Sequence, residues 1–311
     1  MKKKIGVALG GGAFKGFAHI GILKVLEKNG IRPDYVAGTS AGAIIGALYC
    51  SGKSVKEIEK IIHKTNFGEL LDFVLPNEGF LAGDRIEKYV GDLIDNVKFE
   101  DLEIPLQIVA ADLKTGDKII FNKGDVADAV RASISIPIIF EPKHDGRRLL
   151  VDGGVVDPLP VSVVRNMGAS YVIAVDVSSP VSTNFAKGKP SKFGRVFKKK
   201  FVEQESENVL EYLNIDEKAP IVQLLFDPEK FITLFKGKKK AKLPKFLKYN
   251  LASVHLMTNE LSKHMTKYAD VVIHPNFKGV LPLDTTNTKA IIKRGELAAE
   301  KKVRQILKDI K

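Results

Sequence analysis

The first half of the chain alternates short apolar runs with segments of helical period, and this alternation most strongly limits the folds open to it. Residues 4–9 form an apolar run, and apolar side chains then recur at helical spacing from Phe17 to Leu26. A second short run, 34–38, leads directly into a helix predicted over 41–50. Strands that alternate with helices are typical of a parallel sheet with helices on its faces. The sequence therefore predicts an α/β fold with three α/β/α layers and a mostly parallel central sheet.

The later part of the chain continues this sheet and contains two long helices. A chain of 311 residues with 44% hydrophobic side chains can bury a substantial core, so we expect a single domain over 1–311. A helix beginning at Pro244 presents one apolar face, and a last helix over about 287–308 predicts a packed C-terminus. The further strands are predicted at 106–111, 118–121, 148–151, 171–177, 221–226 and 271–274. The apolar face of the helix after Pro244 comprises Leu247, Leu251, Val254, Leu261, Met265 and Tyr268.

The turn between the second strand and its helix has the sequence Gly38-Thr39-Ser40-Ala41-Gly42, a Gly-x-Ser-x-Gly. A serine on such a sharp strand-to-helix turn has a strained backbone, and its hydroxyl projects clear of the sheet. The flanking glycines let the strand and the helix approach closely enough to allow this. Serine is also a favoured helix N-cap, so a purely structural role is the alternative. The position between a strand and a helix favours a nucleophile.

A second glycine-rich turn, Gly10 to Gly16, joins the first strand to the first helix. Successive unhindered backbone N–H groups at a helix N-terminus form a cradle for an anion, either a phosphate or a developing oxyanion. The spacing of Gly10, Gly12 and Gly16 is one residue too long for a dinucleotide fingerprint. A Walker loop is excluded because Lys15 precedes the closing glycine. Together with Ser40, this loop supplies a nucleophile and an oxyanion hole from two neighbouring turns.

A serine hydroxyl needs a base, and the strongest candidate is Asp152. It follows an apolar strand and precedes Gly153-Gly154, which keep the site open. Ligands gather where the ends of parallel strands meet, so this position favours a functional carboxylate, with a turn aspartate that closes a hairpin as the local alternative. Four of the six histidines fall within predicted helices. His144, in a predicted hairpin turn, and His274, at a strand end, stay open as alternative bases.

Cysteine usage and the lengths of the apolar runs bear on localisation. The single cysteine, Cys50, cannot form an intramolecular disulfide, which fits a reducing compartment. The longest nearly uncharged apolar run, Tyr35–Cys50, has 16 residues and is interrupted by glycines, below the roughly 20 that a spanning helix needs. The apolar run after Met1–Lys4 is too short for a signal peptide. We therefore expect a cytoplasmic protein, either soluble or peripheral on the inner face of the membrane.

Taken together, these motifs resemble those of the patatin-like phospholipase family. The resemblance covers about residues 4–180 in the order of the family, and four ordered motifs are far more specific than any one of them. They are Gly10–Gly16 with residues 17–21, Gly38–Gly42, Arg131–Pro137, and Asp152-Gly153-Gly154 with Pro158-Leu159-Pro160.

The resemblance implies a serine esterase or lipid acyl hydrolase of the phospholipase A or lysophospholipase type, which cleaves acyl esters through an acyl-serine intermediate. Carried over to this chain, it makes Ser40 the nucleophile and Asp152 its base, a Ser-Asp dyad without a catalytic histidine. It makes the backbone N–H groups of Gly11, Gly12 and Ala13 the oxyanion donors. No metal or other cofactor is expected. An acyltransferase, or a low-turnover regulatory protein on the same fold, is the alternative function.

Two positions depart from the family pattern. Ala13 stands where many relatives have a further glycine, although its N–H is unaffected. Asp157 stands where bacterial relatives often have Asn, and it could add local negative charge. Neither position touches the expected dyad. Ser133 and Ser135 lie in a family motif, and we expect them to shape the site and not to act as nucleophiles.

The net charge of +12 comes from two lysine-rich segments within a basic insert at about 187–248. Lys187–Phe201 and Lys230–Lys248 carry 15 basic residues and no acid, so the rest of the chain is slightly acidic. Phenylalanines are interleaved with these cations, a pairing that suits the interface of an anionic membrane. A solvated loop whose phenylalanines pack on the domain is the alternative. Nucleic acid is not an expected partner, because no recognised motif accompanies the charge and Ser40 would be left unexplained.

Overall fold

The computed structural model describes residues 3–72, 74, 78–178, 245–278 and 287–311, and these residues contain one eight-stranded sheet. The strands are β1 Ile5–Leu9, β2 Tyr35–Thr39, β3 Leu106–Asp112, β4 Lys118–Phe121, β5 Lys143–Asp145, β6 Arg148–Asp152, β7 Tyr171–Val175 and β8 Val271–Ile273. Their spatial order is β5-β6-β3-β2-β1-β7-β8, and β4 pairs with β3.

The centre of the sheet is parallel and one side of it is antiparallel. Strands β3, β2, β1, β7 and β8 run in one direction, with Val7 opposite both Val36 and Ile173. Strand β6 runs antiparallel to β3, β5 antiparallel to β6, and β4 antiparallel to β3. This arrangement confirms the predicted, mostly parallel sheet. Because parallel strands end at the same edge, the turns after β1 and β2 lie side by side.

Helices cover both faces of the sheet in the described part of the chain. Strand residues such as Val7 and Leu9 point to the face that carries α1, α2, α3, α4, α5 and α8, and Ala8 and Ala37 point to the face that carries α6 and α7. No helix in the described ranges has the length and apolar composition needed to cross a bilayer. The helices are α1 Ala18–Lys28, α2 Ala41–Cys50, α3 Val55–Lys64, α4 Asp84–Leu93, α5 Val126–Ser133, α6 Val161–Asn166, α7 Lys245–Met265 and α8 Thr288–Asp309.

The C-terminal helix α8 packs against α1 at a very close crossing. A Cβ on Gly21 of α1 would collide with the carbonyl oxygen of Ile292, and a Cβ on Gly295 of α8 would collide with that of Ala18. Ile306, near the end of α8, is fully buried in the main core. The packed C-terminal helix that the sequence predicts is therefore present.

Local signals account for where several helices begin. Helix α3 starts with a capping box, in which Ser54 Oγ accepts a hydrogen bond from the Glu57 N–H at 3.3 Å. The Glu57 carboxylate in turn accepts one from the Ser54 N–H at 2.9 Å. Helix α5 is capped by Asp125, whose carboxylate accepts a hydrogen bond from the Asp128 N–H at 2.9 Å. Each of these caps satisfies a backbone donor that the helix cannot pair internally.

Several elements differ from the sequence-based predictions. Helices α5 and α6 and strand β5 are not predicted, because at 8, 6 and 3 residues they are too short to show a clear period. Helix α4 is not predicted either, although its apolar residues Ile86, Val90 and Leu93 have helical spacing. Strand β7 ends at Val175, two residues before its predicted end. Tyr268, predicted on the apolar face of α7, is 67% exposed. The predicted strand 221–226 and both basic segments lie outside the described residues, apart from the backbone of 245–248 in α7.

Candidate active site

Ser40 lies on the sharp turn between β2 and α2, as the sequence predicts. Its backbone has φ 54° and ψ −120°, a conformation that costs a non-glycine residue roughly 1–3 kcal/mol. A Cβ on Gly38 would lie 2.6 Å from the Gly42 carbonyl oxygen, and a Cβ on Gly42 would collide with the carbonyl oxygen of Leu9. The flanking glycines are therefore needed for the turn. The Ser40 side chain makes no capping hydrogen bond to α2, so the helix-cap alternative is wrong.

Asp152 is the last residue of β6 and lies at the same level of the sheet as Ser40. Its strand, however, runs antiparallel to the neighbouring β3. Thr39 is paired with Val109, and the next residue of β3, Ala110, is paired with Asp152. We expected Asp152 at the end of a parallel strand, and this expectation is wrong because β6 runs antiparallel to β3. The register of β6 against β3 brings Asp152 level with the elbow, the turn Gly38–Gly42 that carries Ser40, whatever the direction of β6.

One hydrogen bond orients the Asp152 carboxylate, whose Oδ1 accepts it from the N–H of Gly154 at 2.7 Å. The Ser40 side chain also interacts with the carboxylate and lowers its pKa. Asp152 is only 6% exposed. Burial raises the pKa of Asp152 to about 6, and the interactions with Ser40 and Gly154 partly oppose that rise. The carboxylate is thus more basic than an exposed aspartate and is in contact with a serine hydroxyl.

The glycine-rich loop after β1 lies directly beside this pair. A Cβ built on Gly11 would stand 3.3 Å from the Ser40 Cβ. The N–H of Gly11, however, donates to the carbonyl oxygen of Pro158 at 2.9 Å. This hydrogen bond occupies the donor, so the sequence-based assignment of Gly11 to the oxyanion hole is corrected.

The next two residues of the loop keep their backbone donors available. Within the described residues, the N–H groups of Gly12 and Ala13 donate to no protein acceptor. Gly12 has no room for a side chain, because a Cβ there would lie 2.7 Å from Val177 Cγ2. Ala13 has φ 49°, a conformation that glycine adopts at less cost, in keeping with the glycine of the family pattern. The loop therefore offers two of the three predicted donors.

Buried polar groups hold the start of this loop in place. His19 is fully buried, and its Nε2 lies 2.8 Å from the carbonyl oxygen of Gly10. Burial lowers the pKa of His19 to about 4, so the ring is neutral at pH 7 and its Nε2–H donates to that carbonyl. The N–H of Gly10 donates to Val175 at 3.1 Å. Both backbone polar groups of Gly10 are thus paired.

The glycines at the ends of the motifs mark close approaches between segments. A Cβ on Gly16 would collide with the Cβ of Ala41, so Gly16 lets the first loop lie against the elbow. A Cβ on Gly153 would collide with the carbonyl oxygen of Val109, so Gly153 lets the chain after Asp152 lie against β3. These contacts bring the two turns and the carboxylate into one site.

The alternative bases from the sequence are directed elsewhere. Hydrogen bonds in the described part of the chain join none of the six histidines to Ser40 or Asp152. His144 lies in β5 and not in the hairpin turn predicted for it, with Nε2 3.4 Å from Glu78. The Nδ1 of His274 lies 3.2 Å from Asp176 Oδ2, and this hydrogen bond raises the pKa of His274. Neither ring is placed to act on the serine.

The charge of Asp157 is offset inside the protein. Asp157 is 1% exposed, and its Oδ2 lies 2.9 Å from the Nζ of Lys118 on β4. Its backbone carbonyl accepts a hydrogen bond from Thr39 Oγ1 at 2.9 Å, just before the elbow. The suggested addition of local negative charge is therefore largely cancelled by Lys118, and the backbone contact with Thr39 does not depend on the side chain.

An apolar cavity of about 360 Å³ opens onto Ser40. Its walls are formed by α2, the end of α3, α4 and the segment that follows α5, together with the start of the helical turn after the glycine loop. Two polar groups in the wall, Thr65 Oγ1 and Tyr89 OH, are paired with each other at 2.7 Å. The apolar lining includes Phe14, Ile44, Phe67, Leu81, Ile86 and Phe140.

The sequence did not indicate most of this cavity. Its lining residues come from segments far apart in the chain, and each segment alone has the pattern of an ordinary core-facing element. The one local signal is the spacing of Ile44 and Leu48, which follow Ser40 by four and eight residues along α2 and both line the cavity.

Comparisons with known proteins agree with this architecture. A family model described as patatin-like phospholipase matches residues 7–165, just over half of the chain. The neuropathy target esterase sws of Drosophila melanogaster is 37% identical over an alignment of 190 residues that covers 58% of this chain and 13% of that protein. An uncharacterised NTE family protein of Mycobacterium tuberculosis is 34% identical over 177 residues, 56% of this chain and 49% of that protein. The chain thus spans half or less of the length of these relatives.

A solved structure extends the likeness of the fold beyond the matched segment. VipD from Legionella pneumophila superposes with a TM-score of 0.55 at 14% sequence identity, over 96% of this chain and 66% of VipD. At this identity the likeness concerns the fold alone. The match of the family model over more than half of the sequence, with the sheet and the two turns described above, is sufficient for classification. The chain belongs to the patatin-like phospholipase family.

Proposed function

We propose that this protein is a lipid acyl hydrolase, a serine esterase of the phospholipase A or lysophospholipase type, with Ser40 as nucleophile and Asp152 as base. The observation that carries the proposal is a serine on a strained strand-to-helix turn that lines an apolar cavity and whose side chain interacts with the buried Asp152 carboxylate. Membership of the patatin-like phospholipase family supports lipid hydrolysis as the class of reaction.

In the first step, Asp152 accepts the proton of Ser40 as Oγ attacks the ester carbonyl carbon. A pKa of about 6 leaves the carboxylate ionised at neutral pH and more basic than an ordinary aspartate. The oxyanion of the tetrahedral intermediate accepts hydrogen bonds from the N–H groups of Gly12 and Ala13, and one such donor contributes roughly 3–4 kcal/mol in comparable sites. The C–O bond to the leaving group then breaks, and Asp152 returns the proton to the departing alcohol.

The second step regenerates the enzyme. Water attacks the carbonyl carbon of acyl-Ser40 while Asp152 accepts a proton from it. When this second tetrahedral intermediate collapses, the free acid leaves and the proton passes from Asp152 to Ser40 Oγ. One carboxylate thus serves as the proton acceptor in both halves of the reaction, and no histidine is required.

The cavity is the proposed binding site for the acyl chain of the substrate. Its volume of about 360 Å³ falls within the roughly 300–1,000 Å³ typical of small-molecule sites. Each methylene of an acyl chain buried there contributes about 0.8 kcal/mol, so binding favours lipid esters over short water-soluble ones. Because Ile44 and Leu48 line the cavity beyond Ser40, an acyl chain would run along α2 from the carbonyl carbon.

Replacement of each proposed catalytic residue tests the assignment. We expect Ser40→Ala and Asp152→Ala each to lower hydrolysis of a short-chain p-nitrophenyl ester and of a lysophospholipid by at least roughly 10³-fold, with an unchanged circular dichroism spectrum. Matched controls are Ser51→Ala at the far end of α2 and Asp145→Ala in β5, which we expect to keep wild-type rates.

The two residues can fail this test separately. Full activity in Asp152→Ala would rule out Asp152 as the base, and full activity in Ser40→Ala would rule out the nucleophile. Release of free fatty acid in the absence of an added acceptor alcohol separates hydrolysis from acyl transfer.

A further inference from the structure

The end of α5 contacts the backbone of both proposed catalytic residues. Ser133 Oγ accepts a hydrogen bond from the N–H of Ser40 at 2.8 Å and donates one to the carbonyl oxygen of Val109 at 2.6 Å. The carbonyl oxygen of Ser135 accepts a hydrogen bond from the N–H of Asp152 at 2.9 Å. Ser133 and Ser135 are fully buried. A single turn of chain therefore holds the backbone donors of the serine and the aspartate together.

This turn is itself held by Arg131, which is 2% exposed. Its guanidinium donates to Ser135 Oγ at 2.6 Å, and that hydroxyl donates to the Arg131 carbonyl oxygen at 2.9 Å. The two residues thus pair through both side chain and backbone. This reciprocal contact fixes the conformation in which the Ser135 carbonyl faces Asp152.

The same guanidinium reaches the wall of the cavity. It donates to the carbonyl oxygens of Ala82 and Glu141, the latter at 2.9 Å. Their neighbours Leu81 and Phe140 line the cavity and form a bridge between the two wall segments. Arg131 therefore connects the turn that holds Ser40 and Asp152 to the surface expected to contact the acyl chain.

We propose that Ser133 is a positioning residue for the reaction, and that the turn Arg131–Ser135 sets the relative placement of Ser40 and Asp152. This inference rests on the proposed function above. Ser133 touches no reacting atom and acts through the backbone of Ser40. We call the turn Arg131–Ser135 the α5 bracket.

The conformation of Ser40 explains why such a bracket is needed. Its φ is positive, and its N–H precedes α2, so the helix offers that buried donor no acceptor. The Ser133 hydroxyl proton is committed to Val109, which leaves an oxygen lone pair for the Ser40 N–H. Val109 is paired with Thr39 in the sheet, so Ser133 ties the elbow to the adjacent strand. Without the hydroxyl, the elbow is free to shift Oγ relative to Asp152.

Two replacements of Ser133 test the bracket. Ser133→Ala removes the hydroxyl, and Ser133→Cys keeps a weak acceptor of similar size. With a short-chain p-nitrophenyl ester, we expect Ser133→Ala to lower kcat roughly 10- to 100-fold with little change in KM, and Ser133→Cys to be intermediate. The rate at which a fluorophosphonate labels Ser40 should fall in the same order. Ser51→Ala, which removes a hydroxyl donor to the Leu48 carbonyl, is the matched control and should react like wild type.

Hydrogen exchange of the Ser40 amide gives a readout that does not depend on turnover. We expect it to be at least about tenfold faster in Ser133→Ala than in wild type, because the buried donor has lost its acceptor. A purely structural role for Ser133 would lower Tm and leave kcat per folded molecule unchanged.

The inference is overturned by wild-type kcat and labelling in folded Ser133→Ala, or by unchanged exchange of the Ser40 amide. If Ser133→Ala does not fold, the same measurements are made on Ser133→Cys. Wild-type kcat in folded Ser133→Cys would then overturn the inference. A wild-type protein that neither hydrolyses the ester nor reacts with the fluorophosphonate would refute the proposed function instead. Amide exchange would then still show whether Ser133 holds the Ser40 backbone.

Discussion

Asp152 is nearly enclosed by protein, and its interactions with the Ser40 side chain and the N–H of Gly154 stabilise its charge. Burial disfavours the ionised form more than these two interactions favour it, so the pKa rises to about 6. An exposed aspartate, with a pKa of about 4, is a weaker base. The shift moves Asp152 toward the pKa that suits a general base at neutral pH.

This environment predicts the pH dependence of the reaction. We expect kcat/KM to rise with pH through about 6, because only ionised Asp152 accepts the Ser40 proton. Because the pKa is raised, activity is lost earlier on acidification than with an exposed carboxylate. The measurement is a pH–rate profile with an uncharged short-chain ester, over a range in which circular dichroism shows the protein folded. A midpoint near the ordinary aspartate value of about 4 would argue against a buried Asp152 as the base.

The crossing of α1 and α8 shows how a single atom limits the packing of elements. Gly295 faces the backbone of α1, where a Cβ would meet the carbonyl oxygen of Ala18, and backbone atoms have little freedom to move aside. We expect Gly295→Ala to lower the free energy of unfolding by about 1–3 kcal/mol through overpacking, measured by urea denaturation.

Gly46→Ala in α2 is the matched control for this crossing. There the added Cβ would stand 3.2 Å from a Leu106 methyl group, which can shift, and alanine is the better helix former. We expect little loss of stability in that variant. Equal losses in both variants would show that the close crossing is not the cause.

The hydrogen bonds from Arg131 to the two wall segments of the cavity lead to a second prediction about packing between elements. Arg131→Lys keeps the charge but cannot reach the carbonyl oxygens of Ala82 and Glu141 together with Ser135. Because the wall then loosens, we expect KM for a long-chain ester to rise about tenfold, and KM for a short-chain ester to rise less. Arg148→Lys, at an exposed position of β6, is the matched control. The same rise for both esters would mean that Arg131 does not shape the cavity.

Considered as a whole, the molecule has a strongly uneven distribution of charge along its sequence. The segments Lys187–Phe201 and Lys230–Lys248 carry more positive charge than the net +12, so the remainder, including the proposed catalytic residues, is slightly acidic. We propose that these segments bind an anionic membrane, where each basic residue near the surface contributes about 1 kcal/mol.

Vesicle sedimentation measures this binding. We expect the protein to sediment with vesicles that contain phosphatidylglycerol, to stay in solution with phosphatidylcholine alone, and to be released by added salt. Replacement of the lysines in 187–201 by glutamine should weaken the binding without affecting hydrolysis of a water-soluble ester. Equal binding to both kinds of vesicle would remove the electrostatic explanation.

Elements with strong local signals were predictable from sequence, and the shorter ones were not. Strands β1 and β2, the capping box at Ser54 and the helix α8 each follow from a pattern within about 20 residues. Helices α5 and α6 and strand β5 are short, and such segments are stabilised mainly by tertiary packing. The elbow at Ser40 was predictable because its strained backbone requires glycine at positions 38 and 42.

By itself the sequence determined the two glycine-rich turns, the serine between strand and helix, and the candidate carboxylate, since each depends on residues adjacent in the chain. Only the tertiary structure decided that Gly11 is already hydrogen-bonded to Pro158, that Asp152 arrives on an antiparallel strand, and that a cavity opens beside the serine. It also paired Ser40 with Ser133, 93 positions away. The physical reason is that strand register and buried hydrogen bonds join residues distant in sequence, and local periodicity carries no information about such partners.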